Sequence, residues 1–414
     1  MKKHLKIRTL KEIQSILSSH WEPETKAESI SLLEAGGRIL AEDVKSSVDL
    51  PPFDRSVYDG YAVRGKDTFG AEEENPVKLR LKGRVLAGQR PEVKVGSEEC
   101  VEISTGAPMP EGADAVVMVE DTSLDDSGNI MVRRSVSPGE NVSPKGSEID
   151  ENSNVARRGT RLTPQTYGSL LACGIDRVSV YKRPEVAVIS IGEELVNVNS
   201  SLDIGQIYDV NGPTLSQAVI ECGCQPSYQG ILRDETKTME EGIKKALGNY
   251  DAVLTSGGTS AGASDLLPEV IDGLGDPGIV VHGLAQKPGK PFLMAVVGDK
   301  PVFGLPGYPV SALMVFYKVV APYLREMSGE PDPSSRILKA EISRKIVSEP
   351  GRAELVPVRV ANEGGKEVAV PVREGSGAIT SLSRADGFFE IPLEGEIVEA
   401  GELVEVELFG GITS

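Results

Sequence analysis

At 414 residues, with 39% hydrophobic and 26% charged residues, the chain is long enough for several soluble domains, each with its own core. A formal net charge of −18 argues against wrapping nucleic acid by bulk electrostatics, yet leaves room for a local basic pocket that takes a small anion. Four scattered cysteines and three histidines speak against a zinc site, a disulfide framework or a Ser-His-Asp enzyme. No apolar run has the length of a membrane span, and the basic start at Met1–Lys6 lacks the apolar core of a signal peptide, so a cytoplasmic location is expected.

Ile7, Leu10, Ile13, Ile16 and Leu17 recur at helical spacing, which predicts a helix over 5–17. A second helix is predicted over 29–34, with Gly36-Gly37 as its stop. The texture changes at Leu50–Arg64, where prolines, aspartates, arginines and aromatics crowd together in a loop running into a strand, the composition of a binding loop. Residues 65–140 read as short strands and turns, with a loop of hydroxyls, glycine and acid at Ser104–Asp114. Thr163 and Pro164 form an N-cap and N1 pair for a helix ending near Gly174, and Arg183-Pro184 marks a boundary.

From Glu185 the pattern is α/β. Val186–Ser190 is a strand ending at Ile191-Gly192-Glu193-Glu194-Leu195, Gly212-Pro213 opens a helix closed by Gly223, and a further helix follows Arg233-Asp234 over about 235–247. Between Asp251 and Ala312 one pattern is then written three times. Ala252-Val253-Leu254 leads to Ser256-Gly257-Gly258-Thr259-Ser260, Ile279-Val280-Val281 to Lys287-Pro288-Gly289-Lys290-Pro291, and Pro301-Val302-Phe303 to Gly304-Leu305-Pro306-Gly307-Tyr308-Pro309, before a nearly all-apolar helix over 310–324. These apolar runs predict buried parallel strands whose loops gather at one sheet edge, where open α/β folds bind ligands.

Glycines in those loops let backbone N–H groups approach an anion, Ser256, Thr259 and Ser260 add hydroxyls, and Lys287 and Lys290 add charge on a proline-stiffened loop. Asp265 is the odd member: a carboxylate repels phosphate unless a cation such as hydrated magnesium lies between them. Ordinary tight turns account for any one of these loops; three in succession argue for an anion site. The loop is not a P-loop, since Lys290 is followed by Pro291, and Gly257–Gly262 does not match G-x-G-x-x-G. Beyond Pro333 short alternating runs predict a small all-β domain, with polar turns at Gly351-Arg352, Gly375-Ser376-Gly377 and Thr380–Gly387 that taken singly are surface turns.

Six motifs in order carry a resemblance: Pro51–Ala62, Thr105-Gly106-Ala107-Pro108 with Glu111–Asp114, Gly205–Asp209, Ser256-Gly257-Gly258, Lys287–Pro291 and Leu305-Pro306-Gly307. Over essentially its whole length the chain resembles the molybdopterin molybdenumtransferases and the related E domain of gephyrin. The resemblance implies a multidomain α/β and β fold: an elongated N-terminal dimer-forming domain from 1–50 and 140–182, an inserted β-rich domain at 51–139, a molybdopterin-binding-like α/β domain at 183–328, and a C-terminal β-barrel at 329–414. It implies a homodimer that takes adenylylated molybdopterin and molybdate, places the metal on the dithiolene sulfurs and releases AMP with magnesium, downstream of a molybdopterin adenylyltransferase, with no nucleic acid or membrane partner. Lys287 and Lys290, with Ser311, Arg352 and Ser376 or Ser381, would bind molybdate, and Pro288 and Gly289 would contact substrate beside them. Ser256, Gly257, Gly258, Thr259 and Ser260 would hold the pterin or its phosphate, with Thr105 and Gly106 as further substrate contacts. Asp265, Asp234 and Glu194 would carry the magnesium or position the attacking oxygen, and Asp59 would reach across the dimer. The chain departs from the family pattern at Lys145–Glu148, Ser190–Leu195, Val57-Tyr58 and Tyr308, so a tungstate-preferring paralogue and a non-catalytic pterin-binding scaffold stand as alternatives.

Overall fold

The computed structural model describes residues 6–259, 266–330, 337–372 and 379–409. They form two compact units, Met1–Ala27 with Tyr181–Ser414, and Glu28–Val180. Among the described residues no helix is long and apolar enough to cross a membrane.

The chain opens with α1 (Leu10–Ser18), whose Thr9 and Glu12 form a capping box. The helix starts later than its apolar spacing predicts, because the backbone before it is engaged elsewhere. Lys6 and Arg8 bridge to His282 and Leu284, with Arg8 N–H donating to Gly283 O at 3.0 Å. Ile13 and Leu17, both fully buried, fasten α1 to the unit's core, each by about 1.5–3 kcal/mol.

In the unit Glu28–Val180 the helix predicted over 29–34 is absent. Ala27–Ser31 is instead a strand paired with Arg177–Tyr181, followed by one 3₁₀ turn at Leu32–Glu34. A six-residue stretch cannot offset the cost of nucleating a helix, whereas Arg177 Nη2 donating to Ser29 O at 2.8 Å and the neighbouring ladder favour the strand. The larger sheet of this unit has six strands: β1 (Gly60–Val63), β2 (Val77–Val85), β3 (Glu99–Ile103), β4 (Ala115–Met118), β5 (Thr122–Leu124) and β6 (Ile130–Val132), in the order β4-β1-β3-β2-β6-β5. Successive residues bury on opposite faces, Val63, Cys100 and Val117 on one and Ala62, Val101 and Val116 on the other. α2 (Pro164–Ala172) has Thr163 as its N-cap, as its sequence predicts.

The other unit is built on a second six-stranded sheet: β7 (Glu185–Ile191), β8 (Gln225–Leu232), β9 (Ala252–Ser256), β10 (Pro277–His282), β11 (Leu293–Val297) and β12 (Lys300–Leu305), ordered β8-β7-β9-β12-β11-β10. β7, β9 and β12 are parallel, as predicted, and β8, a strand the sequence does not announce, lies parallel to β7 on its other side. The expectation for Ile279–Val281 is corrected: β10 pairs antiparallel with β11, a strand the sequence reading overlooked, and β11 pairs antiparallel with β12. Both faces of the sheet are covered. α1, α3 (Asn211–Glu221), α6 (Pro309–Val315) and α7 (Ala321–Ser328) pack on Val186, Val188, Leu254 and Phe303, and α4 (Thr236–Asn249) and α5 (Leu267–Asp272) on Ala187, Ile189, Val253 and Val302. Strands covered on both faces explain the unbroken apolar runs that reveal them in the sequence. The single helix predicted over 310–324 is α6 and α7 joined through a π-helical turn at Phe316–Val320.

The C-terminal part is a closed five-stranded barrel of β13 (Ile337–Ile342), β14 (Ala353–Glu363), β15 (Lys366–Pro371), β16 (Gly387–Ile391) and β17 (Leu403–Leu408), in the order β14-β15-β13-β17-β16 with β16 returning to β14. The two-residue strand Gln286–Lys287 adds to β14, with Lys287 opposite Glu354.

Candidate active site

Parallel pairing sets Ser190 beside Ser256 and Ser256 beside Leu305, so the loops leaving β7, β9 and β12 emerge at one edge. β11 enters antiparallel with Leu293 beside Gly304, which brings the lysine loop preceding it to the same edge.

The glycine loop after β9 is held by its own polar groups. Gly257 has φ +100°, and a Cβ there would lie 2.2 Å from Ile191 O, so no other residue fits. Its N–H donates to Leu305 O at 3.1 Å. Ser256 and Thr259 are each 2% exposed, and their hydroxyls donate to Pro306 O at 3.1 Å and Leu305 O at 3.3 Å. Asn211, at the start of α3, completes the arrangement by donating through Nδ2 to Ser256 Oγ and to Gly307 O, both at 2.8 Å. Ser256 and Thr259 thus position the loop with side chains already engaged inside the protein; Gly258, at φ +66°, lies between them, and Ser260 falls outside the described residues.

Behind this edge the buried Asp209 accepts from Tyr228 Oη at 2.5 Å and from Gly212 N–H at 3.1 Å. Burial, and then the Asp209 carboxylate, push the Tyr228 hydroxyl well above the ordinary tyrosine range, so it stays a donor. A Cβ on Gly212 would stand 2.3 Å from Tyr228 Cε2, which is why the helix opens on glycine. Sequence reasoning quoted Asp209 within a motif but gave no role to Asp209, Asn211 or Tyr228; only the polar run just before Gly212-Pro213 hinted at them.

A cavity of about 440 Å³ is lined by Lys287, Pro288, Gly289, Lys290, Ser311, Arg352, Glu354 and Ser381 among others. This gathers the candidate oxyanion residues from the lysine loop, α6 and the barrel; Ser376 falls outside the described residues. Gly289, at φ +121°, passes so close to Val315 that a Cβ would come within 2.3 Å of its Cγ2, and Gln286 Nε2 donates to Pro288 O at 3.0 Å, so the loop is tightly held. Lys287 Nζ lies 3.9 Å from Glu354 Oε2, whose carboxylate also accepts from Ser348 Oγ at 2.7 Å. Glu354 was not singled out in the sequence because nothing local distinguishes it from other strand acids. With the lysine side chain 44% exposed, that long ion pair contributes at most about 1 kcal/mol and leaves the cation available. Among the described residues Lys290, which is exposed, makes no ion pair, and Arg352 pairs only with the exposed Glu349 at 3.2 Å. Ser311 is 5% exposed, and Ser381, 2% exposed, has a buried Oγ with no hydrogen-bond partner among the described residues. Cations with little or no counter-charge beside an unmatched buried hydroxyl suit a compact oxyanion.

The candidate magnesium ligands are placed less completely. Gly192 N–H donates to Leu232 O at 3.2 Å and Asp234 N–H to Glu193 Oε1 at 3.0 Å, so the loops bearing Glu194 and Asp234 lie side by side after β7 and β8. Asp265 falls outside the described residues, and among the described residues no three His, Cys, Asp or Glu side chains cluster to enclose an ion. The loops nonetheless fit magnesium, which keeps several waters and takes only one or two carboxylates beside substrate phosphates.

In the unit Glu28–Val180 the structure joins three further candidates. Asp59 Oδ1 accepts from Thr105 N–H at 2.8 Å, and Gly106, at φ +77°, donates its N–H to Ser56 O at 2.8 Å. Lys145–Glu148 closes on the same motif, Lys145 N–H donating to Asp54 Oδ1 at 2.7 Å and Glu148 pairing with Arg55 at 3.1 Å.

Comparison with known proteins agrees along the whole chain. Residues 8–174 match the MoeA N-terminal region (domain I and II), 187–326 a "Probable molybdopterin binding domain", and 339–409 the MoeA C-terminal region (domain IV). The molybdopterin molybdenumtransferase of Bacillus subtilis is 33% identical over 393 residues, covering 94% of this chain and 91% of that protein. That of Haemophilus influenzae is 32% identical over 408 residues, covering 97% and 98%. The crystal structure of a molybdopterin biosynthesis MoeA protein from Pyrococcus horikoshii superposes with a TM-score of 0.86 at 40% identity, covering 98% of this chain and all of that one. With three consecutive domain matches and relatives matched over nearly their full length, the chain belongs to the MoeA family of molybdopterin molybdenumtransferases, transferases of molybdenum cofactor biosynthesis.

Proposed function

We propose that the protein inserts molybdenum from molybdate into adenylylated molybdopterin and releases AMP. The observation that carries this reading is the cavity at the lysine loop, where, among the described residues, Lys290 lacks a counter-ion and the buried Ser381 hydroxyl lacks a hydrogen bond. A tetrahedral dianion supplies acceptors for both, and Lys287, Ser311 and Arg352 line the same space. In this reading the lysines neutralise the oxyanion while metal–oxygen bonds are exchanged for metal–sulfur bonds, and the clamped glycine loop holds the pterin end of the substrate. Glu194 and Asp234, with Asp265, hold magnesium, and Asp59, Thr105 and Gly106 add contacts to substrate. When bound, magnesium would neutralise the pyrophosphate while a water oxygen adds to the adenylyl phosphorus and the bridging P–O bond breaks, so that AMP leaves and the other phosphate stays on the pterin. The same proposal includes a cytoplasmic homodimer in which Asp59 reaches the partner subunit's site, supplied by an upstream molybdopterin adenylyltransferase.

The test is AMP release from purified protein given adenylylated molybdopterin and magnesium, with molybdate, tungstate or neither. Oxyanion-dependent release is expected, and the better oxyanion identifies the metal. Pterin binding without AMP release under any condition would overturn the catalytic reading in favour of a pterin-binding scaffold.

A further inference from the structure

We infer that Asn211 reads an N–H donor on a nitrogen heterocycle of the substrate, presenting Oδ1 as a fixed acceptor. The inference rests on the transferase reading above. Both N–H groups of its amide are committed, one to Ser256 Oγ and one to Gly307 O, each at 2.8 Å. That pairing also fixes which way the amide faces, because the opposite orientation would set Oδ1 against the carbonyl oxygen of Gly307. Among the described residues Oδ1 accepts no hydrogen bond, and Asn211 is partly exposed at the strand-end edge. Nor does the side chain serve its own helix: Val210 is the N-cap of α3, and the Gly212 N–H in the first turn goes to Asp209.

The loops that hold this amide are themselves tied together. Ser256 donates onward to Pro306 O, Gly257 N–H bonds Leu305 O, and Gly257 tolerates no side chain. An acceptor held this firmly loses little freedom on meeting a ligand. Molybdate and ionised phosphates offer only oxygens, so a carbonyl acceptor cannot recognise them. The substrate's heterocycles do carry donors: a pterin has a 2-amino group and ring N–H groups, and adenine has a 6-amino group.

Two matched pairs of fragments separate these sources by fluorescence or calorimetric titration, pterin against lumazine, which replaces the 2-amino group by oxygen, and AMP against IMP, which does the same at position 6. Wild-type protein is expected to prefer the amino member of one pair by about tenfold, the worth of a well-made hydrogen bond. Asn211→Ala should reduce that preference to within about twofold. Asn211→Asp breaks the clamp as Asn211→Ala does but keeps an acceptor, so it should retain most of the preference; this comparison holds even if the alanine variant folds poorly. Equal loss of preference in the two variants would show a clamp and nothing more, and no amino preference in the wild type, or one unmoved by Asn211→Ala, would overturn the inference. Fragment titrations need no turnover, so failure of AMP release would sink the transferase reading without deciding this one.

Discussion

The lysine-loop cavity and the glycine loop at Ser256 sit on one edge of one sheet and both draw on glycine and serine, with lysine and proline in one. Their hydroxyls have opposite fates. Ser256 and Thr259 are bonded to carbonyl oxygens of the neighbouring strand end, whereas Ser381 is buried with no partner among the described residues. A buried hydroxyl already matched holds its own loop in place; one left unmatched costs stability until something arrives. The glycine loop is a frame and the lysine-loop cavity, in the function proposed above, a receptacle, a distinction that residue type alone does not reveal.

That contrast breaks most severely at Lys290. Lys290→Ala should lower oxyanion-dependent AMP release by about 10²–10³-fold, the usual loss for one preorganised donor to developing charge, while the urea midpoint stays put because Lys290 has no described partner to abandon. Equal losses with and without oxyanion would contradict its place in the receptacle. The frame should fail in the opposite way. Gly257→Ala drives a Cβ to 2.2 Å from Ile191 O at a φ of +100°, and a destabilisation of about 3 kcal/mol is expected in chemical denaturation, whatever the substrate.

Ser381→Ala sharpens the comparison more gently. Removing an unmatched buried hydroxyl should leave stability within about 0.5 kcal/mol or slightly improve it, yet raise the molybdate concentration for half-maximal turnover about five- to tenfold. A clear drop in melting temperature would place Ser381 with the frame instead. The smallest effect serves as a control at the other end of β12, where Trp21 donates to Asp299 O and packs edge-on against Tyr323. Burial, with Glu326 second, pushes the Tyr323 hydroxyl up to about 12 from 10.0. The folded state therefore keeps this proton more tightly than the unfolded chain; the resulting stability is complete below pH 10 and lost as pH rises through 12. Urea midpoints should fall across that window, and Tyr323→Phe should flatten the fall.

Much of the α/β part was legible because strands covered on both faces write themselves as apolar runs, and because Pro164, Gly212-Pro213 and Pro309 mark helix starts. Strand direction is not legible: Leu293–Val297 follows Pro291 so closely that no separate strand is predicted there, and without it Ile279–Val281 looks like another parallel member. At Ala27–Ser31 a partner distant in sequence, Arg177–Tyr181, overrode a weak helical pattern. In the candidate site, charge and glycine positions can be read directly, which singles out Lys287, Gly289 and Lys290, and the three line one cavity. The roles of Asn211, Asp209 and Glu354 depend on partners across strand ends, which local spacing does not encode.

The pairing of Gln286–Lys287 with Ala353–Glu354 makes the lysine loop share a border with two bodies, since the same few residues lie between β10 and β11 of the sheet and along one wall of the barrel. The barrel therefore acts as a mould for the lysine loop. A chain ending before it would keep a doubly covered sheet and every strand-end glycine, yet its two lysines would no longer be cast in one shape.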